Sequence, residues 1–344
     1  MDDYKNQVDF LMKIQRLLTE GGFVATYKYA LLHAIADLCI ERDPAEDGSL
    51  TLTVDELATK FIDLYWPQVH LFPVRGQGNL VLKQNTGKQA AVINAVREYH
   101  RPYQGRLSGL KVNAVAWRRA VRRVGRTIQG MPLWKLQTVG TRPVEFLYRN
   151  QPGADHIVLL PGVPACFRAF HGLLIELVRA AWVRFVRRHN DAVRDSLELY
   201  GFLFGTERTH LNAARSALQQ VDGMRCFYCD TRIARGAEVD HFIPWARYPN
   251  DLGHNFVLAH PSCNNRKSDF LAAEEHLERW VVRNHQQAEP LAEAFAGLGI
   301  DYDCDSSVRI ARWAYDQVEN AGGEVWVQGK ELRPLGPGWR PVLG

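Results

Sequence analysis

Four residues in the second half of the chain have the side chains and the spacing of a zinc site. Cys226 and Cys229 form a Cys-x2-Cys pair, and His260 and Cys263 form a His-x2-Cys pair at the same pitch. Zinc in a structural site takes four such ligands in a tetrahedron. The interval between positions 229 and 260 is longer than the roughly 15–20 residues of a common zinc ribbon. The sequence therefore predicts a zinc site that encloses a further folded segment.

Three residues, Asp240, His241 and Asn264, carry side chains suited to phosphodiester hydrolysis. That reaction needs a water made nucleophilic and a cation that holds the scissile phosphate. Imidazole titrates near neutral pH, so His241 can take the proton of the water. A carboxylate and an amide oxygen suit Mg²⁺, which keeps its other positions for water and phosphate. The pattern predicts a general base beside a catalytic Mg²⁺ or Mn²⁺ held by Asp240 and Asn264.

The local sequence predicts the order strand, strand, helix around these side chains. Residues 237–244 are expected to form a short strand that runs into a turn and ends at Pro244, residues 255–258 are expected to form the returning strand, and the helix is expected to begin near Asn264. Neighbouring residues of a regular strand point to opposite faces. Asp240 and His241 can therefore serve one site only if one of them lies at a bend.

Residues 226–270 resemble the zinc-containing subset of the HNH endonucleases, which have the ββα-metal fold, and a bacterial origin is expected. The resemblance implies that His241 is the general base and that Asn255 orients the loop that carries it. It also implies that Asn264 and Asp240 are the protein ligands of the catalytic metal. A site with one base and one metal cuts one strand, and the family implies a 5′-phosphate and a 3′-hydroxyl at the cut.

The resemblance also covers the zinc ligands, with one departure. Cys226, Cys229 and Cys263 fall where the zinc-containing subset has cysteines, but His260 stands where that subset usually has a fourth cysteine. Because histidine is a competent zinc ligand, the expected site is Cys3His. The alternative is that His254 or a water takes the fourth position.

Two groups of basic residues are predicted to contact nucleic acid. Arg266 and Lys267 follow the third motif residue, where the family often has basic groups that meet phosphate. Residues 101–126 contain no acidic residue, and valines at positions 112, 115, 121 and 124 are expected on the buried face of a helix there. A basic stripe on the opposite face can follow phosphates, although it can also be a solvated helical face. The stripe consists of Arg118, Arg119, Arg122, Arg123 and Arg126.

The residues before the motif predict helices and one β-hairpin. Residues 24–41 have the pattern of a buried helix, and residues 165–189 that of a long helix. Thr53-x2-Glu56 and Thr86-x2-Gln89 each predict a capping box at a helix start. Residues 144–148 and 156–160 flank a Pro-Gly turn and predict the hairpin.

Length and composition bound the class of protein. The chain has 344 residues with 46% hydrophobic residues, and its 42 basic and 38 acidic side chains give a net charge of +4. The hydrophobic content supports a buried core, and the small net charge does not by itself indicate binding to nucleic acid. The expected fold is α+β and mostly helical, with a ββα-metal core embedded in a larger helical protein. The expected domains are a helical 1–222, an HNH core at 223–272, and C-terminal helices with a terminal hairpin at 273–344.

Cellular context is predicted from the cysteines and from the apolar runs. Cys39, Cys166 and Cys304 are far apart and are expected to be free, which suits a reducing compartment. No apolar run reaches the roughly 18 uninterrupted residues of a membrane span. A cytoplasmic protein without a membrane partner is therefore expected.

Three hypotheses about function remain at this point. The first is a metal-dependent endonuclease that nicks DNA, in restriction, antiviral defence or a mobile element. The second is a zinc-containing module that binds nucleic acid without catalysis. The third is a nuclease subunit that protein partners of a defence system license.

Overall fold

The chain folds into two compact units, Met1–Thr206 and Glu207–Gly344. The computed structural model describes residues 2–74, 78–205 and 210–344. Most of these residues are helical, and the described strands form five two-stranded antiparallel sheets. The predicted α+β, mostly helical class is therefore confirmed. In the described ranges, no helix combines the length and the apolar character that crossing a membrane requires.

The first unit contains ten α-helices and six short strands in its described part. Its helices are α1 (Asp2–Glu20), α2 (Tyr27–Glu41), α3 (Val54–Tyr65), α4 (Ala91–His100), α5 (Leu107–Val112), α6 (Ala114–Gly130), α7 (Pro132–Lys135), α8 (Val163–Ala169), α9 (His171–His189) and α10 (Leu199–Phe204). Its strands are β1 (Leu50–Thr53), β2 (Phe72–Val74), β3 (Gly78–Leu80), β4 (Thr138–Val139), β5 (Arg142–Pro143) and β6 (His156–Leu159).

Helix α2 is the centre of the first unit. It is buried on nearly every side because α3, α8 and α9 pack around it. This explains why its sequence is apolar without a polar face. The fully buried Trp182 of α9 packs near Tyr29 and Tyr65, and its Nε1 donates to Gln84 Oε1 at 2.9 Å.

Helix α6, which carries the basic stripe, packs closely on α3. Gly125 permits this approach, because a side chain at that position would meet Cγ1 of Val54 at 3.0 Å. Val121 and Val124 are buried as expected. The expectation for Val112 and Val115 was wrong, since Val112 ends α5 and both side chains are about half exposed.

The predicted hairpin at 144–160 was also wrong. Strand β6 pairs antiparallel with β1, with Leu50 opposite Leu159. Residues 144–148 form no strand and contribute one isolated bridge, Tyr148 to Leu159. The apolar alternation of residues 156–160 predicted a strand correctly, but its partner is about a hundred residues away and carries no local signal.

The second unit contains the motif and the C-terminal elements. Its described helices are α11 (His210–Asp222), α12 (Pro261–Lys267), α13 (Glu274–Gln286), α14 (Ala288–Ala296), α15 (Cys304–Asn320) and α16 (Arg340–Leu343). Its strands are β7 (Glu238–His241), β8 (Phe256–Ala259), β9 (Glu324–Gln328) and β10 (Glu331–Pro334). The terminal hairpin, β9 with β10, was predicted correctly.

The elements that flank the motif are integral to the second unit. Helix α11 packs against β7 and β8, and the ring of Trp280 in α13 stacks on Phe242 at 4.9 Å between ring centroids. The backbone of Trp326 in β9 exchanges hydrogen bonds with Leu271 and Ala273. Contacts thus group α11 with the motif, whereas the expected division placed residues 207–222 in the first segment. The expected three-domain division itself stays a prediction.

One of the two predicted capping boxes is present, and this difference gives a test of stability. Thr53 caps α3, because its Oγ1 accepts from Glu56 N at 3.2 Å and Glu56 Oε2 accepts from Thr53 N at 2.9 Å. Thr86 caps no helix, since α4 begins at Ala91. Thr53→Ala should lower the free energy of unfolding by about 1 kcal/mol, measured by urea unfolding of the intact chain. Thr86→Ala is the matched control and should change it by less than about 0.5 kcal/mol. Equal effects of the two substitutions would contradict this account.

Candidate functional site

The four predicted zinc ligands come together at the base of the β7–β8 hairpin. One ligand atom from each of Cys226, Cys229, His260 and Cys263 lies within 4.8 Å of the others. The two cysteines of the first pair lie in a tight turn in which Asp230 N donates to Cys226 O. His260 and Cys263 lie at the start of α12, so the cluster connects that turn to the helix.

The spacing of these atoms fits a tetrahedral zinc ion. Cys229 Sγ lies 3.4 Å from His260 Nδ1. Zinc bonds of about 2.3 Å to sulfur and about 2.0 Å to nitrogen give ligand–ligand edges of roughly 3.5–3.8 Å. The position of His260 Nδ1 therefore fits that of a fourth zinc ligand. His254, the alternative, is buried elsewhere in the unit, where its carbonyl accepts from Trp280 Nε1.

The thiols of the cluster have opposite tendencies to ionise. Burial opposes ionisation of the Cys229 thiol, but hydrogen bonds from Thr231 and its other neighbours outweigh burial and lower its pKa to about 6. Burial, together with the nearby Cys226, raises the pKa of Cys263 to about 12. Packed thiolates repel one another, so a cation is required before all of them ionise together. This donor set therefore fits zinc.

Strand β7 carries the two residues predicted to perform catalysis. In the register of β7 with β8, Asp240 is opposite Val257 and His241 is opposite Phe256. The strand ends at His241, and residues 242–243 form a bend. The expectation that Asp240 or His241 lies at a bend was wrong, since both belong to β7 and the bend begins immediately after His241, the last residue of the strand.

Lys267 joins helix α12 to this pair. Its side chain is fully buried, and its Nζ donates to the carbonyl oxygen of His241 at 3.0 Å and lies 3.1 Å from Asp240 Oδ2. The hydroxyl of Tyr228 donates to the same Oδ2. The predicted phosphate contact by Lys267 is contradicted, because its ammonium group does not reach solvent. The neighbouring Arg266 is exposed.

The imidazole of His241 is oriented by an acid that the sequence analysis missed. His241 Nε2 lies 2.8 Å from Asp251 Oδ1, and the rings of Trp245 and Phe256 pack edge-on against the imidazole. With Nε2 bound to a carboxylate, Nδ1 is the nitrogen that can accept a proton. Asp251 lies in the loop between the strands, where no periodicity or spacing identified it.

Asn255 fixes the backbone immediately after His241. Its Oδ1 accepts from Ile243 N at 2.7 Å, and its Nδ2 donates to Ile243 O at 3.0 Å. This is the geometry expected of a residue that orients the loop carrying the base.

Asn264 faces β7 beside an unpredicted carboxylate. Its Nδ2 donates to Glu238 Oε2 at 2.9 Å, and Glu238 shares a strand face with Asp240. Within the described ranges, Asn264 Oδ1 and Asp240 Oδ1 have no hydrogen-bond partner. Each of these residues thus keeps one oxygen donor of the kind that a hard divalent cation prefers. The period-two alternation of the strand was the signal that could have identified Glu238.

Comparison with known families places these residues in a recognised context. The family model described as HNH endonuclease matches residues 226–270, which contain all the side chains of this site. The family model described as Domain of unknown function (DUF8808) matches residues 7–200, more than half of the chain. The chain belongs to the DUF8808 family and carries an HNH endonuclease domain. No curated protein and no solved structure matches it.

The HNH domain gives this DUF8808 protein a nuclease or nucleic-acid-binding role. The predicted basic stripe lies in the DUF8808 region, on α6. All five of its arginines are exposed. Arg123 forms a bidentate ion pair with Glu98, with distances of 2.5 and 2.7 Å, so its guanidinium is engaged. In the described ranges, the other four have no carboxylate partner. Nucleic-acid binding by the stripe stays a prediction.

The zinc cluster of the HNH domain is testable by metal analysis. Purified protein should contain one zinc per chain, and Cys229→Ser should lose it. Because a structural zinc supplies much of the stability of its domain, the variant should unfold about 10 °C lower or more. The measurements are elemental analysis and a thermal melt. Cys304→Ser, outside the cluster, should retain zinc and stability. A wild-type protein without zinc would contradict the assignment.

Proposed function

We propose that this protein is a metal-dependent HNH endonuclease that hydrolyses DNA and nicks one strand per protomer. The observation that carries the proposal is the arrangement of His241: its Nε2 lies 2.8 Å from Asp251 Oδ1, and its strand neighbour Asp240 keeps one carboxylate oxygen without a hydrogen-bond partner in the described ranges. A purely structural histidine does not require an orienting carboxylate beside a pair of hard oxygen donors.

In the proposed reaction, His241 Nδ1 takes the proton of the attacking water. Asp251 accepts the hydrogen bond from Nε2–H, holds the imidazole in that tautomer and stabilises the imidazolium that forms. Trp245 and Phe256 limit rotation of the ring. Asn255 holds the backbone bend after His241, so that Nδ1 of His241 stays in one orientation.

Asp240 and Asn264 would hold Mg²⁺ or Mn²⁺, which when bound supplies positive charge at the scissile phosphate and the leaving oxygen. Glu238 keeps Asn264 turned through its hydrogen bond to Nδ2, which leaves Oδ1 for the ion. Arg266, exposed at the end of α12, is proposed to contact the DNA backbone.

The ion pair of Asp240 supports a second candidate function. Lys267 and Tyr228 already satisfy one carboxylate oxygen of Asp240, which lowers its need for a metal. A zinc-stabilised module that binds DNA without cutting it is therefore the alternative. Binding to DNA, combined with no cleavage in Mg²⁺, Mn²⁺ or another divalent ion, would favour it.

The main proposal predicts the loss of nicking in a single substitution. With supercoiled plasmid and Mg²⁺, His241→Ala should lower the nicking rate by about 10²- to 10⁴-fold, because the general base is removed. His285→Ala, an exposed histidine of α13, is the matched control and should cut at the wild-type rate. Wild-type nicking by His241→Ala would overturn the assignment.

The role of Asp251 predicts a smaller effect. Asp251→Asn keeps the size of the side chain but lacks the carboxylate that stabilises the imidazolium. It should lower the nicking rate by roughly 10- to 100-fold and leave DNA affinity unchanged, measured by plasmid nicking and filter binding. Asp305→Asn, an exposed acid in α15, should change neither quantity. An unchanged nicking rate in Asp251→Asn would exclude its proposed role.

A further inference from the structure

The DUF8808 region contains a cavity of about 500 Å³ that is separate from the HNH domain. Its walls come from the segment before α2, the start of α4, and the chain from α6 through α7 to the β4–β5 turn. Its volume lies in the range of about 300–1,000 Å³ typical of small-molecule sites. Much of the lining is apolar and includes Val24, Ala25, Ala91, Met131 and Pro132.

The charged residues that line the cavity are all basic. Lys28 lies in its wall with only 8% of its surface exposed, and Lys135 lies at its exposed rim. Among the residues that the structure describes, no aspartate or glutamate contributes to the lining. Neither lysine forms an ion pair with a carboxylate in the described ranges. An uncompensated cation in an apolar wall is costly unless a group of opposite charge joins it.

Lys28 has little to compensate its burial. Its Nζ donates one long hydrogen bond, 3.4 Å, to Thr138 O, and it lies 5.3 Å from the centre of the Phe23 ring. Burial, with the charge of Lys135, lowers the pKa of Lys28 to about 8. A bound anion would offset both the cost of burying the Lys28 ammonium group and its repulsion by Lys135.

Tyr27 offers a third polar anchor. Its hydroxyl oxygen accepts from Val92 N at 3.2 Å, in the first turn of α4. The hydroxyl hydrogen of Tyr27 is then available to donate. The starts of α2 and α4 add the positive end of two helix dipoles to the same wall, and neither first turn contains an acidic residue.

The cavity walls are tied together without a ligand. Thr26 N donates to Gln84 O at 3.1 Å, and Thr86 N donates to Val24 O at 2.9 Å. Gly140 N donates to Glu20 O, which attaches the β4–β5 turn to the end of α1. The buried side chain of Gln84 is held by Gln68 and Trp182. A preformed wall reduces the entropic cost of binding.

From these features we propose that the cavity is a binding site for a small organic anion, with an apolar or aromatic body against its walls and a phosphate or carboxylate group at Lys28, Tyr27 and Lys135. The site is independent of the proposed nuclease chemistry, because none of its residues belongs to the HNH domain.

The test uses two fluorescent dyes that differ by one anionic group. The dye 8-anilinonaphthalene-1-sulfonate carries a sulfonate on an aromatic body, and N-phenyl-1-naphthylamine has the same body without it. The full-length wild-type protein should bind the sulfonate dye at one site per chain, and more tightly than the neutral dye. Lys28→Met should lower the affinity for the sulfonate dye about tenfold or more and change the affinity for the neutral dye by less than about threefold.

Two further variants make the result interpretable. Thr127→Trp fills the cavity from α6 and should abolish binding of both dyes. Lys13→Met removes a partly exposed lysine outside the cavity and should change neither affinity. The proposal is overturned if the sulfonate dye binds wild type and Lys28→Met equally, or if the neutral dye binds wild type as tightly as the sulfonate dye.

Competition then identifies the anionic group. Displacement of the sulfonate dye by adenosine 5′-monophosphate would assign a phosphate ligand, and displacement by decanoate would assign a carboxylate. If neither compound displaces it at millimolar concentration, the proposed class of ligand is wrong.

Discussion

The buried ammonium group of Lys267 is the contact on which the geometry of the HNH site depends. It connects the end of α12 to the carboxylate of Asp240 and to the carbonyl of His241, so the helix and the strand are held at one relative position. Breaking a buried ion pair by removing one partner costs about 3–5 kcal/mol, because the other charge stays buried and unpaired. The pair is thus a constraint on geometry more than a source of net stability.

A metal ion in the Cys3His cluster would hold the same helix from its other end. Cys226 and Cys229 lie before β7, and His260 and Cys263 lie at the first turn of α12. Helix α12 has only seven residues, too short to persist alone in water. The zinc cluster at its start and Lys267 at its end explain how so short a helix can present Asn264 in a fixed direction. The carboxylate of Asp251 then orients the imidazole of His241.

The DUF8808 region is organised by a different principle. Helix α2 is buried nearly all round, and a network of buried amides attaches the segment before α4 to it. The side chain of Gln84 accepts a hydrogen bond from Trp182 Nε1 and donates one to Gln68 Oε1. The backbone carbonyl of Gln84 accepts a hydrogen bond from Thr26 N. Because each of these groups is satisfied, the network fixes the loops that form the cavity while the cavity itself stays open.

The sequence by itself predicted the three cysteines of the metal cluster, the strand–strand–helix order and the position of Asp240, His241 and Asn255 around it, but it left the fourth ligand open between His260, His254 and a water. These depend on short spacings and on backbone alternation, which are local properties. It did not determine the partner of β6, the burial of Lys267 or the contact between His241 and Asp251. Each of these joins segments whose separation in the chain carries no pattern, so only the tertiary structure decided them. The role of Lys267 shows the physical reason: a basic residue has the same appearance in sequence whether its charge meets solvent, phosphate or a buried carboxylate.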